Sequence, residues 1–240
     1  MKTEVLGVRI DDLSLTEVLN FLQRTSAPQL IFTPNPEFIV EAQNNPEFKK
    51  ILNGSNLNVP DGVGLQIFGR IKNRVPGIDL MLKLCKFASE NGLTVGLFGG
   101  TDGVAKETKT SLEQKFPEIK ITWAIDGREA DIYLAEAKPF TEKSVDFLFA
   151  ALGMVKQENF LQKLSLQGKI LRVGVGVGGS FDEITNRQKA PPEFIKKIGL
   201  KWLWRLACEP KRVRRIINAV IVFPWLVFYR AAFQGDFHSN

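Results

Sequence analysis

Short apolar runs alternate with amphipathic stretches along most of this chain, and that alternation constrains its fold more than any other feature. Glu4 to Ile10, Gln29 to Thr33, Asn56 to Pro60, Leu93 to Phe98, Lys120 to Ile125, Val145 to Leu152 and Lys169 to Val177 read as strands. Between them the spacing predicts helices: one opened by the capping box Ser14-Leu-Thr-Glu17, and one starting near Pro36 and carrying Phe38, Val40 and Ala42. Others are expected over Leu65 to Ile71, Ile78 to Glu90, Val104 to Phe116 and Gln157 to Leu166.

Strands and helices in this order predict an α/β fold, a Rossmann-like, mainly parallel sheet with helices on both faces. In such sheets ligands bind beyond the carboxyl ends of the strands. The polar and glycine-rich clusters fall there: Thr33-Pro-Asn35, Pro60-Asp61-Gly62, Gly99-Gly-Thr101, Leu152-Gly153 and Gly176-Val-Gly-Gly179. Glycines let backbone N–H groups approach a phosphate, and helix N-termini favour negative charge, so a nucleotide or diphosphate is the expected ligand class. Glycines also simply close strand ends, and no GxGxxG or Walker sequence separates the two readings.

Charge divides the chain in two. Residues 186–240 hold eleven Lys+Arg against three Asp+Glu, out of totals of 32 and 26, so the net +6 is a tail of +8 on a body of −2. The tail also has three of the four tryptophans and an uncharged run from Ile216 to Tyr229 between Arg215 and Arg230. We therefore expect an α/β body over residues 1–185 and a basic, helical, amphipathic C-terminal appendage over 186–240. The band Arg205, Lys211, Arg212, Arg214 and Arg215, beside Trp202, Trp204 and Trp225, suits an anionic membrane surface. Its competitor is a solvated helix face lying on its own body. The apolar run has fourteen residues where a span needs ~20, and Pro224 interrupts it, so it is expected to lie in the interface rather than cross the bilayer. A re-entrant hairpin, packing on the body, or a homo-oligomer sealed by the appendage are the alternatives. Acidic residues in MKTEVLGVRIDDLS occupy the place of an export signal's apolar centre, so the expected location is cytoplasmic, peripheral to the inner face of the cell membrane.

The residue inventory prunes the chemistry. The single histidine, His238, is the third residue from the end of the sequence, which argues against Ser-His-Asp or Cys-His catalysis. Cys85 and Cys208 are too few for a disulfide framework, and no Cys/His cluster or Asp-x-Asp pair is present to hold a metal. A departing diphosphate would have to be stabilised by arginines and backbone dipoles.

Several ordered motifs resemble the WecG/TagA/CpsF glycosyltransferases. They are Thr33-Pro-Asn35-Pro-Glu37, Phe48-Lys-Lys-Ile-Leu52, Val59-Pro-Asp61-Gly62-Val-Gly64 and Arg74-Val-Pro-Gly77-Ile-Asp79-Leu80. Leu97-Phe-Gly99-Gly100, Ala151-Leu-Gly153 with Lys156-Gln157-Glu158, and Gly174-Val-Gly-Val-Gly178 through Phe181-Asp182 follow in order. In the tail, Ala190-Pro191, Gly199-Leu-Lys-Trp202-Leu-Trp204-Arg205 and Glu209-Pro210-Lys-Arg212 resemble the family's appendage. Val155, Thr185 and Lys189 depart from the family pattern, which has Pro, Gly and Arg there. The resemblance implies an inverting, metal-independent transferase that needs no cofactor. It would move a sugar, N-acetylmannosamine in the best-known members, from a UDP-sugar donor to a polyprenyl-diphosphate-linked saccharide. Glucose or another hexose as the donor sugar is the alternative within the family.

The candidate roles follow. Asp61, by residue type alone first an N-cap for the helix after Gly62, becomes with the resemblance the general base for the acceptor hydroxyl. Arg74, otherwise a solvated charge beside Lys72, becomes the group that neutralises the diphosphate. Thr33 and Asn35 are expected to hold a sugar by hydrogen bonds, although Asn35 also suits a cap for the helix at Pro36. Gln157 is a candidate for uracil or sugar, and Gly62, Gly99, Gly100, Gly153 and Gly178 for close backbone approach. Glu158 reads as an ordinary first-turn acid. Two other classes compete. A nicotinamide or flavin oxidoreductase lacks GxGxxG after the first strand. A nucleic-acid-binding α/β protein with a basic tail would leave the apolar run without a use, so no nucleic acid is expected.

Overall fold

The structure is a computed structural model and describes residues 2–25, 27–129, 132, 142–188, 192, 195, 201–208 and 213–233. A six-stranded parallel sheet forms the body. Its strands are β3 (Gln29–Phe32), β4 (Leu57–Asn58), β5 (Thr94–Gly99), β6 (Lys120–Ile125), β7 (Val145–Ala151) and β8 (Ile170–Gly176), in the spatial order β4-β3-β8-β7-β5-β6. The central strands are near-continuous apolar runs because both faces are covered, as parallel sheets require. Successive residues of β7 point oppositely: Phe147 and Phe149 enter one core, Leu148 and Ala150 the other.

The first core is covered by α2 (Pro36–Asn44), α3 (Pro46–Asn53) and α7 (Lys156–Leu166), which supply Phe38, Phe48, Phe160 and their neighbours. The second is covered by α1 (Leu15–Gln23), α5 (Gly77–Glu90) and α6 (Val104–Lys115). Cys85 lies in this second core, where burial pushes its thiol up to about 12, so it is an inert packing residue. The expected capping box forms at α1: Ser14 Oγ accepts the Glu17 N–H at 3.3 Å and the Glu17 carboxylate accepts the Ser14 N–H at 2.7 Å.

Three local features depart from the elements expected. Glu4 to Ile10 is not one strand but part of a hairpin, β1 (Lys2–Val5) and β2 (Val8–Asp11), separate from the main sheet. Leu6 and Gly7 turn it with φ of 51° and 79°, a pair that primed hairpin turns demand but that leucine rarely signals. Helix α3 follows α2 directly, Asn45 capping it and Pro46 at its first turn; these eight residues are too few for a periodic signal.

The third departure concerns the appendage. Pro224 does not interrupt the apolar run: one helical stretch, α10, spans Val213–Phe233. A π-helical segment, Asn218–Val222, immediately precedes the proline, and the Phe223 N–H reaches back to the Asn218 carbonyl across five residues. That widening loosens the turn against which a proline ring would clash. With 21 residues and about 31 Å of length, the helix is long and apolar enough to cross a membrane by length and composition. It packs instead on α2 and α4 (Val63–Phe68). Phe223 is fully buried and meets the Phe68 ring edge-on at 6.4 Å, Val227 joins the first core, and Arg215 pairs with Glu37 at 2.8 Å. Burying Phe223 alone stabilises this docking by about 2 kcal/mol. α9 (Lys201–Cys208) lies between body and α10 in sequence.

Candidate functional site

Where the chain leaves neighbouring strands toward opposite faces, a crevice opens at their carboxyl ends. This happens twice. β3 leads into α2 on one face while β8 leads into α8 (Ser180–Ile184), whose Phe181 lies in the core of the other. β7 and β5 diverge in the same way into α7 and α6.

At the β3/β8 crevice the predicted residues converge. The Thr33 hydroxyl donates to the Gly176 carbonyl at 3.2 Å and is buried. The Asp61 N–H donates to the Pro34 carbonyl at 2.8 Å, which brings the loop after β4 onto the loop after β3. The Val75 N–H donates to the Pro60 carbonyl at 2.8 Å, which adds the Arg74 segment. Gly77, the first residue of α5, closes the set: a Cβ there would lie 3.4 Å from Thr33 Oγ1 and 3.8 Å from the Val177 backbone. Four chain segments are thus held together, largely by main-chain bonds, with the half-buried Asp61 carboxylate between glycine-permissive turns. Gly62 has φ of +100°, and a Cβ there would lie 3.4 Å from the Pro36 ring, so a larger residue would press on α2.

Arg74 is exposed and makes no side-chain hydrogen bond or ion pair among the described residues. Its loop is nonetheless fixed. Asp12 accepts the Lys72 and Asn73 N–H groups at 3.1 and 2.8 Å; burial raises the Asp12 carboxyl, but these bonds outweigh it and hold the group below its ordinary value. A guanidinium left without a partner on an anchored loop is available to an anion. Asn35 takes the capping role: its Oδ1 accepts the Phe38 N–H at 3.2 Å.

The glycines separate into two kinds. Gly99 and Gly100 are crowded by the protein itself. A Cβ at Gly99 would lie 2.4 Å from the Ala151 carbonyl oxygen, one at Gly100 would overlap Val104, and the Gly100 N–H already donates to Ala151. Gly153 and Gly178, with φ of +82° and +52°, have open space at the Cβ position.

Gln157 and Glu158 occupy a place that helix spacing did not reveal. Both are buried, Glu158 completely. The Glu158 carboxylate accepts the Val155 N–H and the Gln157 amide, each at 2.7 Å, while Gln157 Oε1 accepts the Gly178 N–H at 3.1 Å. Burial pushes Glu158 up to about 7, against the lowering effect of these bonds. Val155, at φ +73° and ψ −52°, sits in a region near the strained γ-turn. A proline could not adopt that φ and would have no N–H to give. Arg187, which sequence reading passed over, ties the segment leading to the appendage onto the loop after β5. It forks onto Glu107 at 2.6 and 2.8 Å and donates to the Asp102 carbonyl at 2.7 Å.

Of the basic band, Arg214 and Arg215 are exposed on the first turn of α10; Lys211 and Arg212 lie outside the described residues, as does His238, and so does the Arg205 side chain. The outward face of α10 is aromatic. Trp225, Tyr229 and Phe233 follow one another with ring centroids 5.2 and 4.8 Å apart, and Trp225 and Phe228 are 58% and 63% exposed.

A family model described as the glycosyl transferase WecG/TagA/CpsF family matches residues 3–236. Two similar relatives carry the name N-acetylglucosaminyldiphosphoundecaprenol N-acetyl-beta-D-mannosaminyltransferase and come from Bacillus. The Bacillus spizizenii (strain ATCC 23059 / NRRL B-14472 / W23) protein is 31% identical over 223 residues, 86% of this chain and 83% of the relative. The Bacillus subtilis (strain 168) protein is 29% identical over 229 residues, 91% and 88%. A Staphylococcus aureus (strain MRSA252) protein of the same name is 27% identical over 228 residues, 90% and 88%.

Proposed function

The chain belongs to the WecG/TagA/CpsF family of glycosyltransferases, and on that premise we propose that it transfers N-acetylmannosamine from UDP to an undecaprenyl-diphosphate-linked N-acetylglucosamine, with inversion and without a metal. The observation that carries this reading is the convergence of Thr33, Asp61, the Arg74 loop and the N-terminus of α5 on one crevice. The names of the relatives supply the acceptor and the transferred sugar.

In this mechanism the acceptor hydroxyl attacks the anomeric carbon from the face opposite UDP. The new O–C bond forms as the bond to the UDP oxygen breaks, and Asp61 takes the hydroxyl proton. Arg74 neutralises the departing diphosphate, helped by the α5 N-terminus. Thr33 orients a sugar hydroxyl at the crevice mouth.

We assign residues 1–185 to catalysis and 186–240 to membrane association. The docked α10 lies along the membrane surface with Ile221, Trp225, Phe228 and Phe233 facing the lipid, while Phe223 and Val227 keep it on the body. Arg214 and the rest of the basic band meet anionic headgroups and the acceptor's diphosphate.

The test is UDP release by detergent-solubilised protein over a panel of UDP-sugars, with and without a short-chain lipid-diphosphate-GlcNAc. Acceptor-dependent release that persists in EDTA and vanishes in Asp61→Asn is expected. Full activity in Asp61→Asn would remove Asp61 from the mechanism, and release abolished by EDTA would overturn the metal-free reading. In Arg74→Ala, turnover should fall while UDP affinity is nearly kept; unchanged kinetics would return Arg74 to the surface.

A further inference from the structure

We propose that Glu158 is a positioning residue that sets the direction of a buried hydrogen-bond relay, Val155 to Glu158 to Gln157 to Gly178, and so holds the loop after β8 in the shape the nucleotide diphosphate meets. The inference rests on the glycosyltransferase reading for its ligand, but the relay itself is testable without any ligand.

Hydrogen-bond polarity fixes the direction. In its ionised form Glu158 only accepts, so both neighbours must present donors to it: the Val155 N–H on one oxygen and Gln157 Nε2 on the other. With its nitrogen committed, the Gln157 amide has one orientation left, and its oxygen faces the Gly178 N–H. Nothing else in the relay can reverse it, because backbone N–H groups stand at both ends.

The surroundings are built to this pair. Gly176, whose carbonyl holds Thr33, has no side chain where a Cβ would come 2.7 Å from Gln157 Nε2 and 3.0 Å from Glu158 Oε1. Gly178 turns with φ of +52° directly beyond the relay's end, with open space at its Cβ position. The Val155 backbone, strained as it is, supplies the N–H that starts the chain. Within the body α7 packs on β3, β7, β8 and α3. β3 carries no charge, Asp146 on β7 binds Thr94 and pairs with Arg172 of β8, and Lys49 on α3 reaches the Leu6 carbonyl. Glu47 and Lys50 of α3 lie toward solvent, and among the described residues Glu158 makes no ion pair. The carboxylate therefore serves hydrogen-bond direction, not an ion pair.

Glu158→Gln breaks the relay wherever the new amide turns. If its oxygen accepts from Val155, its nitrogen faces Gln157, which must flip and point an N–H at the Gly178 N–H; the other rotamer points an N–H at Val155. The reciprocal swap, Gln157→Glu combined with Glu158→Gln, repairs every bond. The amide now at position 158 accepts the Val155 N–H through its oxygen and donates through its nitrogen to the carboxylate now at position 157. That carboxylate in turn accepts the Gly178 N–H.

The experiment uses full-length protein and two readouts. Amide exchange at Gly178 should accelerate in Glu158→Gln and return to the wild-type rate in the swap. UDP affinity, measured by calorimetry, should fall about tenfold in the single variant, as expected for one misdirected hydrogen bond. Unchanged Gly178 exchange in Glu158→Gln, or a swap no better than the single variant, overturns the relay. Should the single variant be too unstable to purify, a swap that folds and protects the Gly178 N–H supports the relay, and one that also fails to fold overturns it. Wild-type protein that protects Gly178 yet does not bind UDP refutes the nucleotide reading while leaving the relay standing.

Discussion

Replacing Glu158 by Gln should flatten the dependence of folding stability on pH. In the folded chain burial pushes this carboxyl from its ordinary 4.5 up to about 7, although the bonds from Gln157 and Val155 pull the other way. In the unfolded chain it titrates near the ordinary value. Between those two values the folded state binds more protons, so stability falls as pH rises. The contribution is fully present below about 4.5 and is lost as pH climbs through about 7. Over that interval of about 2.5 units, at 1.36 kcal/mol per unit, wild type loses about 3 kcal/mol from this group. Glutamine has nearly the same shape and does not titrate. Its misdirected N–H costs about 1–3 kcal/mol, but equally at every pH, so the slope isolates ionisation from mismatch. Urea unfolding followed by fluorescence of the buried Trp123, from pH 4.5 to 8.5, measures both proteins. The advantage of wild type over the variant should be largest at the acid end and shrink by about 3 kcal/mol toward pH 8. A difference constant to within about 0.5 kcal/mol across the range would refute the burial argument.

Other outcomes follow from the same geometry. Asp61→Asn should lose turnover by on the order of 10²-fold or more, with UDP affinity kept, and residual rates near wild type would sink the general-base assignment. Gly99→Ala should destabilise the fold by about 1–3 kcal/mol, read as a lowered thermal midpoint, because the new Cβ meets the Ala151 carbonyl at 2.4 Å; an unchanged midpoint would contradict that contact. Arg214→Glu should weaken binding to anionic vesicles at low salt by about 2 kcal/mol, roughly 30-fold, with the effect shrinking as salt rises. Phe223→Ala should accelerate amide exchange across 213–233 while the sheet stays protected; uniform loss of protection would mean that α10 is integral to the body.

Much of the body was legible because its signals are local. The strand Lys120–Ile125, the helix Val104–Lys115 and the Ser14 cap need only the few residues around them, and they form where period and capping place them. The hairpin turn at Leu6-Gly7 was hidden because leucine at positive φ has no compositional mark. The continuity of α10 was hidden because a proline reads as a break unless the turn before it widens, which depends on the neighbouring helix geometry. At the candidate site, Thr33, Asp61 and Gly178 could be named as strand-end residues, whereas Glu158 looked like any first-turn acid.

The alternation of apolar and amphipathic segments, the ends where glycines gather, and the separation of a basic apolar tail from a near-neutral body are properties of the amino-acid sequence alone, since each is written in contiguous residues. Which strand ends become neighbours is not. The order β4-β3-β8-β7-β5-β6 sets Gly176 beside Thr33, 143 positions away, and the packing lays Phe223 against Phe68 and Arg215 against Glu37 of α2. Likewise, only packing could turn Glu158 from a solvated acid into a buried acceptor, because the cost of desolvating a charge is set by what surrounds it in space and not by what precedes it in the chain.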